Sequence, residues 1–489
     1  MIQLSHIKAF LSTSNLILIT ACTVGPDYVK PELTLPKNWS ESNAVSTHSA
    51  KLTQWWRGFN DTTLNLLIER ALQGNLDLKA AGQRIQAARA QRDATDAERW
   101  PSVNASSAYQ RQRISPNALL GLMGSLQNGA GQSTALGPIG TPFNLFQAGF
   151  DSSWELDLFG GIRRKQEAAE ANAEAIAESE HDIRVSLSAE IARAYLELKM
   201  LQCRLEIAED NLHNQREILR LAEASYEEGL ATALDVQRAK AELATIASAV
   251  APISAQIKNH RHALALLSGL PPTGLDAELT KLSASIPLPP TIAPGLPSDI
   301  LRQRPDIRQA ERVVAAANAS IGAAVAELFP KLSLTGSAGF QSQDLSNFTN
   351  LSSGFYGFGP RLSLPIFQAG RLMANVDAQE ARHREALAAY EKSVLTALKE
   401  VEDNLANLQG EHNRQQSLEI AELTARKATN TAEVYYTEGE SDLQSVLDSK
   451  RIWHQTREQL VQSQLNWAVG HVALFKAIGG DNIARNNTK

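Results

Sequence analysis

The side chains best suited to covalent or metal chemistry are few in this chain. Among 489 residues there are two cysteines, Cys22 and Cys203, and ten histidines. Two cysteines so far apart can build neither a structural zinc site nor a disulfide framework. The sequence has no Gly-rich phosphate loop, no zinc-ligand spacing and no nucleophile elbow. His181, His213, His383 and His454 fall in helical stretches and read as solvated rather than catalytic. Cys203 reads as a small apolar residue of a helix. The pattern predicts a protein that is not an enzyme and holds no metal or cofactor. What remains are carboxylates beside glycine turns. Asp235 follows Gly229-Leu230-Ala231-Thr232, and Asp442 and Asp448 follow Gly439-Glu440-Ser441, with Tyr436 just ahead of that turn. On its own, an acid in the first turn of a helix meets free N–H groups and the positive end of the helix dipole, a local cap.

The elements that carry these turns are long. From Gly161 to Gly229 no proline or glycine interrupts the chain. Ile191, Leu198, Leu205, Leu212, Leu219 and Tyr226 recur every seventh residue. Ala194, Leu201, Ala208 and Ala222 recur three positions later, with Gln215 the one polar break. That is a coiled-coil seam whose second position is mostly small, so a partner helix can approach closely. At about 1.5 Å per residue, some 67 residues make a helix of roughly 100 Å. The block then recurs: Tyr226, Gly229, Leu264 and Gly269 return 210 residues on as Tyr436, Gly439, Leu474 and Gly479, a tandem duplication.

Each copy also changes period. Phe146, Ala148, Phe150, Ser152, Trp154, Leu156 and Leu158 alternate with polar or small residues, a strand with one oily and one wet face. A partner runs from Val103 through Ala105 to Tyr109, and residues 115–142 read as a long exposed loop. In the second copy, Leu332, Leu334, Ala338 and Phe340 make one strand, and Tyr356, Phe358, Leu362, Leu364 and Ile366 the other, with Pro360 and Pro365 marking kinks or edges. An oily outside and a polar inside is the transmembrane-barrel pattern, but such barrels start at about eight strands. Several chains must therefore contribute; a small sheet packed on the helices is the competing reading.

The expected organisation follows. Residues 1–21 form a lipoprotein signal peptide, since the ending Ile19-Thr20-Ala21-Cys22 is similar to a lipobox, with Cys22 acylated. Residues 22–62 are a lipid-anchored tether. Residues 63–269 are the first repeat: a helix to about Glu98, a β-pair over 102–160, a long helix over 162–228 and a return helix over 233–267. A Pro-rich linker covers 270–297. Residues 298–479 are the second repeat: a helix, a β-pair over 331–368, a long helix over 371–437 and a return helix over 443–476. A polar tail covers 480–489. The hydrophobic content of 43% is that of a folded chain, and a net charge of -6 gives no reason to propose nucleic-acid binding. No apolar run of about 20 residues follows the N-terminus, so a spanning helix is not expected.

Asp299-Ile300-Leu301, Arg304-Pro305-Asp306-Ile307-Arg308, Ala310-Glu311, Ala317-Asn318-Ala319, Ile321-Gly322 and Phe329-Pro330 resemble the signature of bacterial outer-membrane efflux proteins. Cys22 followed by Val24-Gly25-Pro26-Asp27-Tyr28 is similar to the OprM/NodT lipoprotein branch of that TolC-like family. The resemblance implies a mainly α fold with a β-barrel portion. Its barrel is a trimeric 12-stranded one in the outer membrane, above a periplasmic α-helical coiled-coil tunnel. It implies the exit duct of a tripartite efflux system, a homotrimer partnered by a periplasmic adaptor and an inner-membrane pump of the resistance-nodulation-division class. It implies a periplasmic gate at Asp235, Tyr436 and Asp448. The chain departs from the family pattern at Ser441 and Ser445, where Asp442 is the available substitute. The turns Gly229-Leu230-Ala231-Thr232 and Gly439-Glu440-Ser441 are then the adaptor-docking tips. By the same resemblance the pump, not the duct, selects what is exported. An adaptor would instead carry one hairpin and lipoyl-like domains, and a pore-free coiled-coil lipoprotein leaves four alternating strands unexplained.

Overall fold

The computed structural model describes residues 23–40, 54–113, 115, 142–280, 285–289, 297–298 and 303–480. The signal segment, Cys22, most of the loop after residue 115, the Asp299-Ile300-Leu301 motif and the tail from 481 lie outside the described residues.

The described elements run α1 (Thr62–Gly74), α2 (Leu76–Ala97), β1 (Ser102–Gln112), β2 (Phe143–Leu156), α3 (Gly161–Glu227), α4 (Ala233–Leu267), α5 (Pro305–Ala326), β3 (Lys331–Ser342), β4 (Gly354–Ser363), α6 (Arg371–Thr437) and α7 (Leu443–Ala477). α3 and α6 each hold 67 residues, and α4 and α7 each hold 35. The duplication read from sequence is thus a duplication of elements at matched length.

The chain divides into two compact units. One comprises Met1–Val29, Ala88–Asn172 and Val314–Glu385; the other comprises Lys30–Ala87, Ala173–Val313 and Ala386–Lys489. The first unit holds a four-stranded antiparallel meander in the order β1-β2-β3-β4. Its register sets Tyr109 opposite Phe146, Ala105 opposite Phe150, Phe150 opposite Ala338 and Trp154 opposite Leu334. Ala338 lies opposite Tyr356, Gly336 opposite Phe358 and Leu332 opposite Leu362. Directly opposed residues point to the same side of a sheet. The alternations of all four strands therefore coincide, and one apolar face runs across the whole sheet. Asn104, Gln147, Asp151, Glu155, Ser333, Thr335, Ser337 and Arg361 take the other face. A register slip of one residue in any strand would break both. β1 and β4 are the edges, and Pro360 sits in the edge strand β4, where a missing N–H is tolerated.

The second unit is helical. Leu64, Leu67, Ile68 and Ala71 of α1 are fully buried, and Trp55 stacks on Phe475 at 4.8 Å. The single helix expected over 63–98 is two helices here, broken at Asn75. A Cβ on Gly74 would lie 2.4 Å from the Ser268 carbonyl, and one on Gly269 2.3 Å from the Gly74 carbonyl, so two backbones cross in contact. Asn75 then ends α1 and restarts α2: its Oδ1 accepts the Leu78 N–H at 2.9 Å while its Nδ2 donates to the Leu267 carbonyl at 2.9 Å. No local pattern announces such a crossing.

The seam on α3 is also uneven. Ile191 and Leu198 are fully buried, but Leu205, Leu212 and Leu219 are half-buried and Tyr226 is 50% exposed. The other set, Leu201, Ala208, Gln215 and Ala222, stays buried to the turn. Its small residues admit the neighbouring helix, and the polar break is satisfied by that approach: Gln215 Nε2 donates to the Ala239 carbonyl at 3.4 Å.

Candidate functional site: two hairpin tips and an apolar sheet

Both long helices end by the same device. At α3, the Leu230 N–H reaches the Ser225 carbonyl at 2.8 Å and the Gly229 N–H reaches Tyr226 at 3.0 Å. At α6, Glu440 bonds Tyr435 at 2.8 Å and Gly439 bonds Tyr436 at 3.1 Å. This paired closure needs a left-handed residue, and Gly229 (φ 74°) and Gly439 (φ 78°) supply it. The return helices are then capped. Thr232 accepts the Asp235 N–H on its hydroxyl at 3.3 Å, and the Asp235 carboxylate accepts the Thr232 N–H at 3.0 Å and its hydroxyl at 2.7 Å, a reciprocal box. At α7 the Asp442 carboxylate accepts the Ser445 N–H at 2.9 Å and the Ser445 hydroxyl at 2.6 Å.

The two turns share one core. Ile218 and Ala222 of α3, Val236 and Ala239 of α4 and Leu443 of α7 cluster together, with Leu219, Tyr436 and Leu447 packed on them. Tyr436 is therefore placed against both hairpins. The Thr232 hydroxyl and amide hold the exposed Asp235 carboxyl below the usual carboxylate range, with Arg238 assisting. The Ser445 hydroxyl and amide do the same for Asp442, again with Arg238 assisting. Asp235 and Asp442 are thus ionised acids in one electrostatic neighbourhood. Asp448 stands apart in its bonds: it accepts from Gln444 at 3.1 Å and Arg451 at 3.1 Å on its own helix. Leu230 is exposed, and a Cβ on Gly229 or Gly439 would meet nothing within 4 Å.

Sequence reasoning passed over one repeated contact. Lys240 pairs with Glu223 at 3.0 Å across the first hairpin, and Lys450 with Glu433 at 2.6 Å across the second. Both members recur 210 residues on, so the duplication offset itself could have found them. His454 corrects the reading of the helix histidines as solvated. Burial, with Lys450 and Arg457 nearby, lowers it from 6.5 to about 4, and its Nδ1 is buried with no hydrogen-bond partner among the described residues. Cys203 is half-buried, and burial pushes its thiol up, in keeping with a packing role.

The signature motifs turn out to hold chain segments together. Arg304 is buried and donates to Asp306 at 2.7 Å, to Glu400 at 2.7 Å and to the Ala477 carbonyl at 2.9 Å, closing the end of α7. Gly25 packs its backbone on Gly322, and Asn318 donates to the Pro26 carbonyl at 3.0 Å.

Among the described residues, no helix is long and apolar enough to cross a membrane. The sheet is different. Tyr356, Phe358 and Leu362 of its apolar face are 82%, 85% and 70% exposed in the single chain. So broad an exposed apolar surface marks a membrane or protein contact. A duplicated strand-pair and hairpin with such a sheet is the arrangement that the resemblance to outer-membrane efflux proteins leads one to expect. The model of the outer membrane efflux protein family matches residues 67–270 and 296–480, and the chain belongs to that family. Cation efflux system protein CusC of Escherichia coli (strain K12) is 32% identical over 470 residues, 95% of this chain and 97% of that protein. Toluene efflux pump outer membrane protein TtgF of Pseudomonas putida is 32% identical over 499 residues, covering 97% of this chain and 98% of its own. The solved outer-membrane channel OprN superposes with a TM-score of 0.84 at 34% identity, over 94% of this chain and 99% of that one. The chain is accordingly an outer-membrane protein of a Gram-negative bacterium that extends into the periplasm.

Proposed function

We propose that this protein is the passive exit duct of a tripartite efflux system, conducting what an inner-membrane pump of the resistance-nodulation-division class and a periplasmic adaptor deliver. The observation that carries the reading is the sheet: one apolar face across four strands, with both edges open. An unpaired backbone group in lipid costs several kcal/mol, so the edges of β1 and β4 must be paired by copies of the same chain. Three copies give a 12-stranded barrel, within the range of such barrels. Lipid on Cys22 adds a second anchor, and the duct needs no cofactor. The related proteins are named for cations in one case and toluene in another, which suits a conduit that leaves selection to its pump.

Asp235, Asp442, Asp448 and Tyr436 form the periplasmic gate in this reading. The packing of Tyr436 with both hairpins supports it, as does the ionised state of the two capping acids. About a threefold axis each acid becomes a ring of three, which attracts cations. The tips Gly229, Leu230, Ala231 and Thr232, with Gly439, Glu440 and Ser441, meet the adaptor. Their open surroundings suit a docking surface.

Single-channel conductance in a planar bilayer tests the duct, and a detergent monomer that still conducts would refute the trimer. A trivalent cation added from the periplasmic side tests the gate. Asp235→Asn with Asp448→Asn weakens its block, and identical blocking curves would remove both acids from the pore. Gly229→Trp leaves the trimer intact and stops export, and normal export at normal expression would take the tips out of the docking surface. Mass spectrometry of the mature N-terminus reads the lipid on Cys22 directly.

A further inference from the structure

The segment Thr23–Tyr28 has no regular structure, yet it is held at every residue for which a bond or contact can be named. The Val24 N–H donates to the Phe159 carbonyl at 3.1 Å. Gly160 (φ 78°) leaves room for Thr23, whose Cγ2 would lie 2.7 Å from any Cβ there. Gly25 (φ 86°) lies so close to Gly322 that a Cβ would come within 2.4 Å of its Cα. Tyr28 packs on Ala171, Ala315 and Ala316.

Arg164 is the centre of this arrangement. Its side chain is 5% exposed. Its Nε donates to the Val24 carbonyl at 3.3 Å, one terminal nitrogen to the Gly25 carbonyl at 3.5 Å and to Asp27 at 2.6 Å, and the other to Glu167 at 2.8 Å. Its stem fills the space that a side chain on Gly322 would need, with Cγ 2.8 Å and Cδ 2.9 Å from such a Cβ. The planar fork serves two carbonyls and two carboxylates in directions that a single ammonium cannot match.

The contacts come from both copies of the duplication. Phe159, Gly160, Arg164 and Ala171 belong to the first; Ala315, Asn318 and Gly322 belong to the second. We infer that residues 23–28 are a latch that closes only when α3 and α5 have come together, with Arg164 as its positioning residue. The latch joins the two repeats within the sheet-bearing unit. The exposed Asp27, at 89%, is the latch's solvent-side contact, so it can be changed without opening a core.

Hydrogen exchange on the full-length assembled protein tests this. The Val24 amide is expected to be protected in the wild type, and Asp27→Ala to raise its exchange at least tenfold while β2 and β3 amides stay unchanged. Arg164→Lys is expected to behave like Arg164→Met, with loss at Val24 and Tyr28, because charge without the fork does not bind the carbonyls. Rescue by lysine would mean a plain electrostatic contact and would overturn the positioning role. Wild-type protection of Val24 no greater than that of an unstructured peptide, or equal exchange in wild type and Asp27→Ala, would overturn the latch. Should the Arg164 variants fail to assemble, the Asp27→Ala comparison still decides.

Discussion

At the first hairpin tip a hydroxyl caps the return helix and the carboxylate three residues on accepts the cap residue's N–H; at the second a carboxylate is the cap and the residue three on supplies a hydroxyl that donates to it. Thr232 and Asp235 fill the two roles in one order, Asp442 and Ser445 in the other. The glycine closure before them is the same in both. What the duplication kept is therefore the geometry of the turn, not the residue at each position. Either order leaves one acceptor for an N–H of the first turn and one negative charge near the helix dipole. The residue that carries the charge moves by three positions, yet the Asp235 carboxylate folds back onto the Thr232 N–H and hydroxyl, so in both tips the charge sits at the helix cap.

The largest expected difference between the hairpins is in acid. His454 of the second hairpin corresponds, 210 residues earlier, to Ala244 of the first. His454 is lowered from 6.5 to about 4 by burial, with Lys450 and Arg457 against it and Asp210 in its favour. As pH falls below 6.5, the unfolded chain takes a proton that the folded chain refuses until about 4. Stability is thus full above 6.5 and is lost between there and 4, by about 1–2 kcal/mol once partial exposure is allowed for. His454→Ala should flatten that stretch of a denaturation-versus-pH curve. An unchanged curve would mean that the ring is solvated after all.

The ion pairs come next. Lys450 is 13% exposed against 50% for Lys240, so the two equivalent pairs sit in different dielectric surroundings. Lys450→Met should cost about 1–2 kcal/mol and Lys240→Met no more than about 0.5 kcal/mol in chemical denaturation. Equal losses would erase the asymmetry. Gly229→Ala and Gly439→Ala should each cost about 1 kcal/mol, and the same amount, because both need the left-handed backbone and neither meets a neighbour. The smallest effect is expected from exchanging the cap orders. Thr232→Asp with Asp235→Ser copies the second tip onto the first and should leave the melting temperature within error, whereas Thr232→Ala alone should cost about 1 kcal/mol. A clear loss in the exchanged protein would show that the order is functional rather than equivalent.

Much of this was legible beforehand. Period-seven and period-two patterns, glycine spacing and a constant offset are local properties of a chain, and backbone hydrogen bonding leaves them few outcomes. They determined the long helices, the two turns, the four strands and the duplication. The candidate gate acids were legible as first-turn acids, but their partners were not. Thr232 and Ser445 could be matched by spacing, yet only the folded tip places Asp235 and Asp442 within reach of the same Arg238. Nor could a linear pattern reveal the break at Asn75, which arises where Gly74 meets Ser268, or the partial opening of the α3 seam toward its tip. The segment 23–28 makes the point most simply. Its proline, glycine and polar residues describe an extended chain, and that is what it is. That it is held rather than free depends on Arg164 and Gly322 meeting it from two repeats, because such contacts join residues more than 130 positions apart. The sequence determined what each stretch could form; close packing between distant stretches decided where those forms stop, which charges are dry and what they hold.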